Sequence, residues 1–292
     1  MTGHNKKFAV IGGDSRSIEL ARQLKADGHI VNIYGFDNAI LPQDVKNQES
    51  LQSAMDGCEI IIGPVPCSND GETVNTPFSA NKISLADMFK AITKDQIFIA
   101  GRIIEKIQRA LQVFNVHYLD ILDREEVSIM NAIPTSEGAI KIAIEKTPIT
   151  LHDSNIMVIG FGRIGKVLSK MLAGIGSNVF VVARRCEDLA WISSYGYKEV
   201  LTDNLAGSLP NMEIIFNTVP APILTKDILS HVKKDCLIID LASAPGGVDF
   251  IEADKLGLQT VWALSLPGKV APTTCAKFIK DAIYNIINEL GV

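Results

Sequence analysis

The chain has 292 residues, and at roughly 150 residues per domain this length predicts two domains rather than one large core. With 47% hydrophobic and 21% charged residues the composition is globular, which excludes wholesale disorder. A net charge of -5 argues against a general nucleic-acid binder, and no apolar run approaches the roughly 18 residues that a membrane-spanning helix needs.

The opening MTGHNKKFAVIGGDSR has a short apolar stretch followed at once by Asp14 and Arg16. It reads as a first strand, not as a secretory signal. FAVIGGDSRSIELARQLKADGHIVNIYGF then reads strand, Gly turn, amphipathic helix, Gly, strand. CEIIIGPVP (58–66) predicts a buried strand ending at Pro64 and Pro66, and CSNDGETVNTPFSANKIS after it has the composition of a long loop. DQIFIAG (95–101) predicts a strand and Ile103–Phe114 a helix, with HYLDIL and EEVSIM completing the region.

NAIPTSEGAIKIAIEKTPITLHD (131–153) predicts a linking helix over 133–150 beside an interdomain cleft. Thr135 or Ser136 caps it, Glu137 sits in its first turn and Pro148 stops it. IMVIGFGRIGKVLSKMLAGIGSNVFVVARR follows as a second strand, Gly turn, helix and strand. NMEIIFNTVP (211–220), CLIIDLASAPGGVDF (236–250) and LQTVWALSLPGKVAP (258–272) each hold a further strand. The final segment, 273–292, is a helix with apolar Ala276, Ile279, Ile283, Ile286, Ile287 and Leu290. It is expected to pack back on the first domain.

The two Gly-turn segments superpose without a gap at an offset of 148 residues, Val10 on Val158, Gly12 on Gly160 and Leu24 on Leu172. The fold class is therefore α/β, two Rossmann-like parallel-sheet domains with a cleft between them. The limits are 1–132 for a flavodoxin- or Rossmann-like substrate domain and 151–272 for a dinucleotide domain. Duplication and convergence on a common pattern both account for the likeness.

The copies differ where chemistry occurs. The second carries Gly160-x-Gly162-x-x-Gly165 directly after a strand and opening a helix. Gly160 allows the tight turn, Gly162 lets backbone approach a pyrophosphate, and Gly165 allows close helix–strand packing. Arg163 and Ile164 lie in the same helix start, whose N–H groups face the phosphates. The first copy has Gly12, Asp14 and Ser17 at these places, and a carboxylate beside a pyrophosphate is unfavourable. Arg184 lies 19 positions after Gly165, where an NAD site usually carries Asp or Glu. Arg184 with Arg185 suits the 2′-phosphate of NADP instead.

The five cysteines, Cys58, Cys67, Cys186, Cys236 and Cys275, are odd in number and show no C-x-x-C spacing. That predicts a reduced, cytoplasmic protein, and the scattered histidines give no metal site.

GGDSR, NAIPTSEGAI, GFGRIG, NTVP, DLASAPGGVDF and LPGKVAPTTCA occur in this order along about residues 7–290. In order and spacing the chain resembles the dipicolinate synthase A-subunit family, the last two motifs being the narrowest. The resemblance implies oxidation of the cyclic product of 4-hydroxy-tetrahydrodipicolinate synthase to dipicolinic acid for endospores. It implies NADP as hydride acceptor and, for a partner, a flavoprotein-like B subunit, and leaves room for a homo-oligomer. On this reading Asn217, Thr218, Val219 and Pro220 line the nicotinamide ribose, and Ala242 and Ser243 approach the ring. The small dicarboxylate substrate needs cations or backbone donors. Arg16 is the first candidate, with Thr135, Ser136 and Glu137 at one helix start and Lys269, Thr273 and Thr274 in the loop before the last helix. Glu137 and Asp14 are the candidate bases. A 2-hydroxyacid or amino-acid dehydrogenase is the rival, but no Arg follows LIIDLAS and Trp262–Ser265 holds no His. A non-catalytic NADP-binding protein is the second rival.

Overall fold

A computed structural model describes residues 5–43 and 45–291. His4 and the outermost domain limits, residues 1 and 292, lie outside the described residues. The chain divides into two compact units, residues 1–128 with 271–292, and residues 129–270.

In the first unit the strands are β1 (Lys7–Ile11), β2 (Ile30–Tyr34), β3 (Ile60–Ile62), β4 (Ile97–Ala100) and β5 (His117–Asp120). They form one parallel sheet in the order β2-β1-β3-β4-β5. Its helices are α1 (Ser15–Ala26), α2 (Leu51–Met55), α3 (Leu85–Ala91) and α4 (Glu105–Val113). The central strands are apolar throughout because helices cover both faces of a parallel sheet. Phe8 and Val10 enter one core with Leu20 and Leu24 of α1, while Ala9 and Ile11 enter the opposite core with Met88 and Phe89 of α3.

The helix α5 (Glu125–Lys146) contains the division between the units, after Ser128. The second unit continues with β6 (Asn155–Ile159), α6 (Arg163–Ile175), β7 (Asn178–Ala183), α7 (Cys186–Ser194), β8 (Lys198–Leu201), α8 (Leu205–Ser208) and β9 (Ile214–Asn217). It ends with α9 (Lys226–Leu229), β10 (Leu237–Asp240), α10 (Phe250–Lys255), β11 (Gln259–Trp262) and α11 (Leu266–Val270). The sheet order is β11-β10-β9-β6-β7-β8, again all parallel. Counted from β6, this is the doubly wound 3-2-1-4-5-6 order, whose direction reverses between β6 and β9.

The last helix, α12 (Pro272–Leu290), belongs to the first unit. Ile283, Ile286 and Ile287 share a core with Leu20, Ala21 and Leu24 of α1. Each such buried side chain contributes roughly 1.5–3 kcal/mol, which outweighs the distance in sequence. Asp27 adds polar ties, accepting from Lys280 Nζ at 2.6 Å and from the Tyr284 hydroxyl at 2.7 Å.

Three sequence expectations change. The linking helix does not begin near residue 133; α5 starts at Glu125 and carries Pro134 inside it. Thr135 and Ser136 are therefore not caps. Their hydroxyls donate back to the Asn131 and Ala132 carbonyls, both at 2.7 Å, beside the Met130 carbonyl to which Pro134 has no N–H to donate. Lys269 lies in α11 and Thr273 in the first turn of α12, not in a loop.

Candidate dinucleotide site

The loop between β6 and α6 is shaped by its glycines. Gly160 has φ +99°, and a Cβ there would sit 2.5 Å from Thr218 Oγ1. A Cβ on Gly165 would sit 2.0 Å from the Gly160 carbonyl, so α6 approaches the sheet only because Gly165 has no side chain. Gly162 differs: a Cβ there meets nothing within 4 Å. It is the exposed N-cap of α6, and no side chain caps the helix. The first amides of an α-helix have no partner within the helix and carry its positive dipole end, so this start suits a phosphate.

A groove of about 800 Å³ opens here, lined by Gly160, Phe161, Gly162, Arg184, Arg185, Asp188, Thr218, Val219 and Pro220 among others. It lies at the carboxyl ends of β6, β7 and β9, where the strand order reverses. Ligands of open α/β sheets bind at such a place. Glycines that admit backbone, an uncapped helix start and a cation fit a dinucleotide pyrophosphate and ribose.

The two arginines are not equivalent. Arg185 donates to both Asp188 oxygens at 2.8 and 3.1 Å and lies 2.7 Å from Glu187 Oε1. These bonds hold the Asp188 carboxyl below its usual range, and Asp188 in turn raises the Arg185 pKa. Arg184 is exposed and has no ion-pair partner among the described residues.

At the ends of β9 and β10 the predicted residues separate. Thr218, Val219 and Pro220 line the groove, whereas Asn217 is fully buried and does not. Its Nδ2 donates to Asp240 Oδ1 at 2.8 Å and to the Val219 carbonyl at 3.0 Å, and its Oδ1 accepts from Val219 N. Asp240, also fully buried, accepts in addition from Ala242 N at 3.0 Å and Gly247 N at 2.8 Å. Ala242 is buried, and its carbonyl accepts from Trp262 Nε1. Asn217 and Ala242 therefore hold the loops instead of facing the groove. Ser243 is exposed in the turn after β10. Arg163, Ile164 and Gly165 belong to the α6 start rather than to the groove wall. Asp240 is a residue that sequence reasoning missed. Its signal was a lone carboxylate closing an apolar strand, which demands partners once buried.

The corresponding loop of the first unit is closed by the chain itself. A Cβ on Gly12 would meet Thr76 Cγ2 at 2.6 Å, and Gly13 N donates to the Asn75 carbonyl. Asp14 caps α1 by accepting from Arg16 N at 3.0 Å. It also accepts from Arg16 Nε, and from Nη2 at 2.8 Å. Arg16 Nη2 donates further to the Val65 carbonyl. Arg16, expected to be an open cation, is thus already neutralised by Asp14. Glu137 is exposed on α5, Lys269 Nζ donates to the Leu264 carbonyl at 3.1 Å, and the Thr273 carbonyl accepts from Gln23. The described bonds of these residues do not join them into one cluster.

The sheet order, the glycine loop and the groove define the second unit as a dehydrogenase-type dinucleotide domain, and the chain carries a further α/β unit besides it. Residues 135–246 match the family described as D-isomer specific 2-hydroxyacid dehydrogenase, NAD binding domain. Residues 7–122 match the N-terminal domain of the dipicolinate synthase A-subunit. The chain is 32% identical over 288 residues to the dipicolinate synthase A-subunit of Bacillus subtilis strain 168, covering 97% of this chain and 96% of the relative. The crystal structure of the dipicolinate synthase A-subunit from Bacillus halodurans superposes with a TM-score of 0.89 at 30% identity, covering 97% of each chain. The corresponding crystal structure from Bacillus subtilis superposes with 0.88 at 31% identity, covering 99% of this chain and 97% of the other. The chain belongs to the dipicolinate synthase A-subunit family. No described helix is long and apolar enough to cross a membrane.

Proposed function

We propose that this chain is the dehydrogenase component that aromatises a dehydrated 4-hydroxy-tetrahydrodipicolinate ring to dipicolinic acid with NADP+, together with a flavoprotein-like B subunit, in the cytoplasm of a spore-forming cell. The observation that carries the cofactor choice is Arg184, a cation at the groove with no carboxylate partner among the described residues. When bound, the nicotinamide supplies a hydride acceptor. The overall change removes water from the hydroxylated ring, then one hydride and one proton.

The chain's own part is binding and orientation. The α6 start and Gly162 receive the pyrophosphate, and Arg184 receives the 2′-phosphate. Thr218, Val219 and Pro220 place the ribose next to the nicotinamide, held by the Asn217–Asp240 bond beneath them. The first unit, whose glycine loop is filled by Asn75 and Thr76, takes the dicarboxylate. Gain of aromaticity drives the step, so positioning supplies the larger share of the rate. The charged side chains of the groove are Arg184, Arg185 and Asp188, all on the β7–α7 segment.

The test is formation of the pyridine dicarboxylate, followed by its ultraviolet absorbance, from the cyclic synthase product. The full chain with a flavoprotein-like partner and NADP+ is expected to form it. No aromatic product with either nicotinamide cofactor, with and without the partner, would overturn the reading.

A further inference from the structure

Arg102 follows β4 at the carboxyl edge of the first sheet and has φ +57°, a left-handed backbone unusual for a residue with a side chain. Such a conformation costs about 1 kcal/mol or more and persists only where its surroundings impose it. Asp120 imposes it here. Its carboxylate accepts from Arg102 N at 3.0 Å, from Ile103 N at 2.5 Å and from Leu122 N at 2.8 Å. Glycine would fill this place without strain, so an arginine there calls for a use of its side chain.

The other arginines of the first unit are all committed. Arg16 pairs with Asp14, Arg22 with Glu19, Arg109 with Glu105, and Arg124 with Glu126 and Glu289. Arg102 is exposed and has no carboxylate partner among the described residues. It is also fixed to the loop that Arg16 holds. Gly101 N donates to the Pro64 carbonyl at 3.1 Å, the Gly101 carbonyl accepts from Cys67 N at 2.6 Å, and Arg16 donates to the Val65 carbonyl between them. A Cβ on Gly101 would lie 2.8 Å from Val65, so this contact is tight. The 64–67 loop follows β3, next to the point where the strand order reverses between β1 and β3. That edge is where such sheets bind ligands.

We propose that Arg102 is a carboxylate-binding residue of the first unit, receiving one carboxylate of the dicarboxylate substrate through its guanidinium fork. The proposal deepens the proposed function and rests on its dicarboxylate reading. Arg16, neutralised by Asp14, then acts as a positioning residue for the loop.

The test is Arg102→Gly in the full-length chain, because glycine relieves the backbone and keeps the fold. Thermal unfolding is expected to be unchanged or raised. Calorimetric titration with pyridine-2,6-dicarboxylate is expected to show at least a tenfold loss of affinity, with NADP+ affinity retained. The preference of the wild type for the dicarboxylate over pyridine-2-carboxylate is expected to shrink in the variant. If the wild type binds the dicarboxylate and Arg102→Gly binds it equally well, the assignment of Arg102 is overturned while the dicarboxylate reading stands. If the wild type binds no dicarboxylate, both fall.

Discussion

Arg185 holds both oxygens of Asp188, at 2.8 and 3.1 Å, while the adjacent Arg184 has no such partner among the described residues. Two neighbouring arginines therefore offer a cofactor very different net charges. Asp188→Asn removes the carboxylate that engages Arg185. It is expected to tighten NADP+ binding about twofold to fivefold, the scale of an exposed ion pair. NAD+ binding is expected to change little. Arg185→Ala should shift NADP+ affinity far less than loss of Arg184 does. Fluorescence titration of each variant checks both statements, and weaker NADP+ binding by Asp188→Asn would contradict them.

Gly162 and Gly165 lie three residues apart and are expected to fail in different ways. Gly162→Asp meets open space and an ordinary backbone, so the fold should persist while the added carboxylate repels the pyrophosphate. Loss of detectable NADP+ binding with an unchanged melting temperature is the expected result. Gly165→Ala would place a methyl 2.0 Å from the Gly160 carbonyl and must push α6 off the sheet. It should destabilise by roughly 1–3 kcal/mol, as overpacking does. Thermal unfolding of the two proteins separates these effects.

Asp240 carries more of the second unit's loop structure than its place in LIID suggests. Asp240→Ala removes the acceptor of Ala242 N and Gly247 N and one of the two acceptors of Asn217 Nδ2. Each stranded buried donor costs about 1–3 kcal/mol. A large fall in melting temperature is expected, with weaker NADP+ binding because Thr218–Pro220 lose their anchor. A variant as stable as the wild type would show that the network is dispensable.

The glycine loop is legible in the sequence because Gly160 and Gly165 answer backbone and packing demands that a side chain would break, and Gly162 completes the spacing at the open helix start. The ends of β9 and β10 are not. In a strand running into a loop, the pattern does not say whether the last residue turns inward, and Asn217 does so to satisfy buried Asp240. Pro134 followed by Thr135 and Ser136 has the composition of a helix start, yet α5 runs through it, with the two hydroxyls bonded to the preceding turn. The charge of Asp14 alone marks it as hostile to a pyrophosphate. That it also neutralises Arg16 depends on side-chain geometry at the cap. Nothing in composition or periodicity marks Arg102, because a left-handed backbone leaves no trace in either.

Acid should loosen the contact between α1 and α12. Burial lowers the pKa of His29 below 6.5, and its ring packs edge-on against Phe8 and Tyr284. A lowered folded value means that the unfolded chain takes up the proton more readily. The stability it contributes is present above 6.5 and is lost as the pH falls through the lower folded value. Asp27 acts in the same direction further down. Burial raises its pKa, but the Lys280 and Tyr284 bonds outweigh this and hold it below 3.8. Melting temperatures between about pH 7 and pH 5 should fall less steeply for His29→Phe than for the wild type. Equal slopes would show that His29 carries none of the effect.

The most direct test of the cofactor assignment is titration of the wild type and Arg184→Ala with NADP+ and NAD+ under one buffer. A guanidinium–phosphate bond contributes about 1.5–3 kcal/mol, or roughly tenfold to a hundredfold in affinity. The wild type should prefer NADP+ by about that factor, and Arg184→Ala should lose the preference while keeping its NAD+ affinity. Equal binding of the two cofactors by the wild type, or a preference that survives the loss of Arg184, would contradict it.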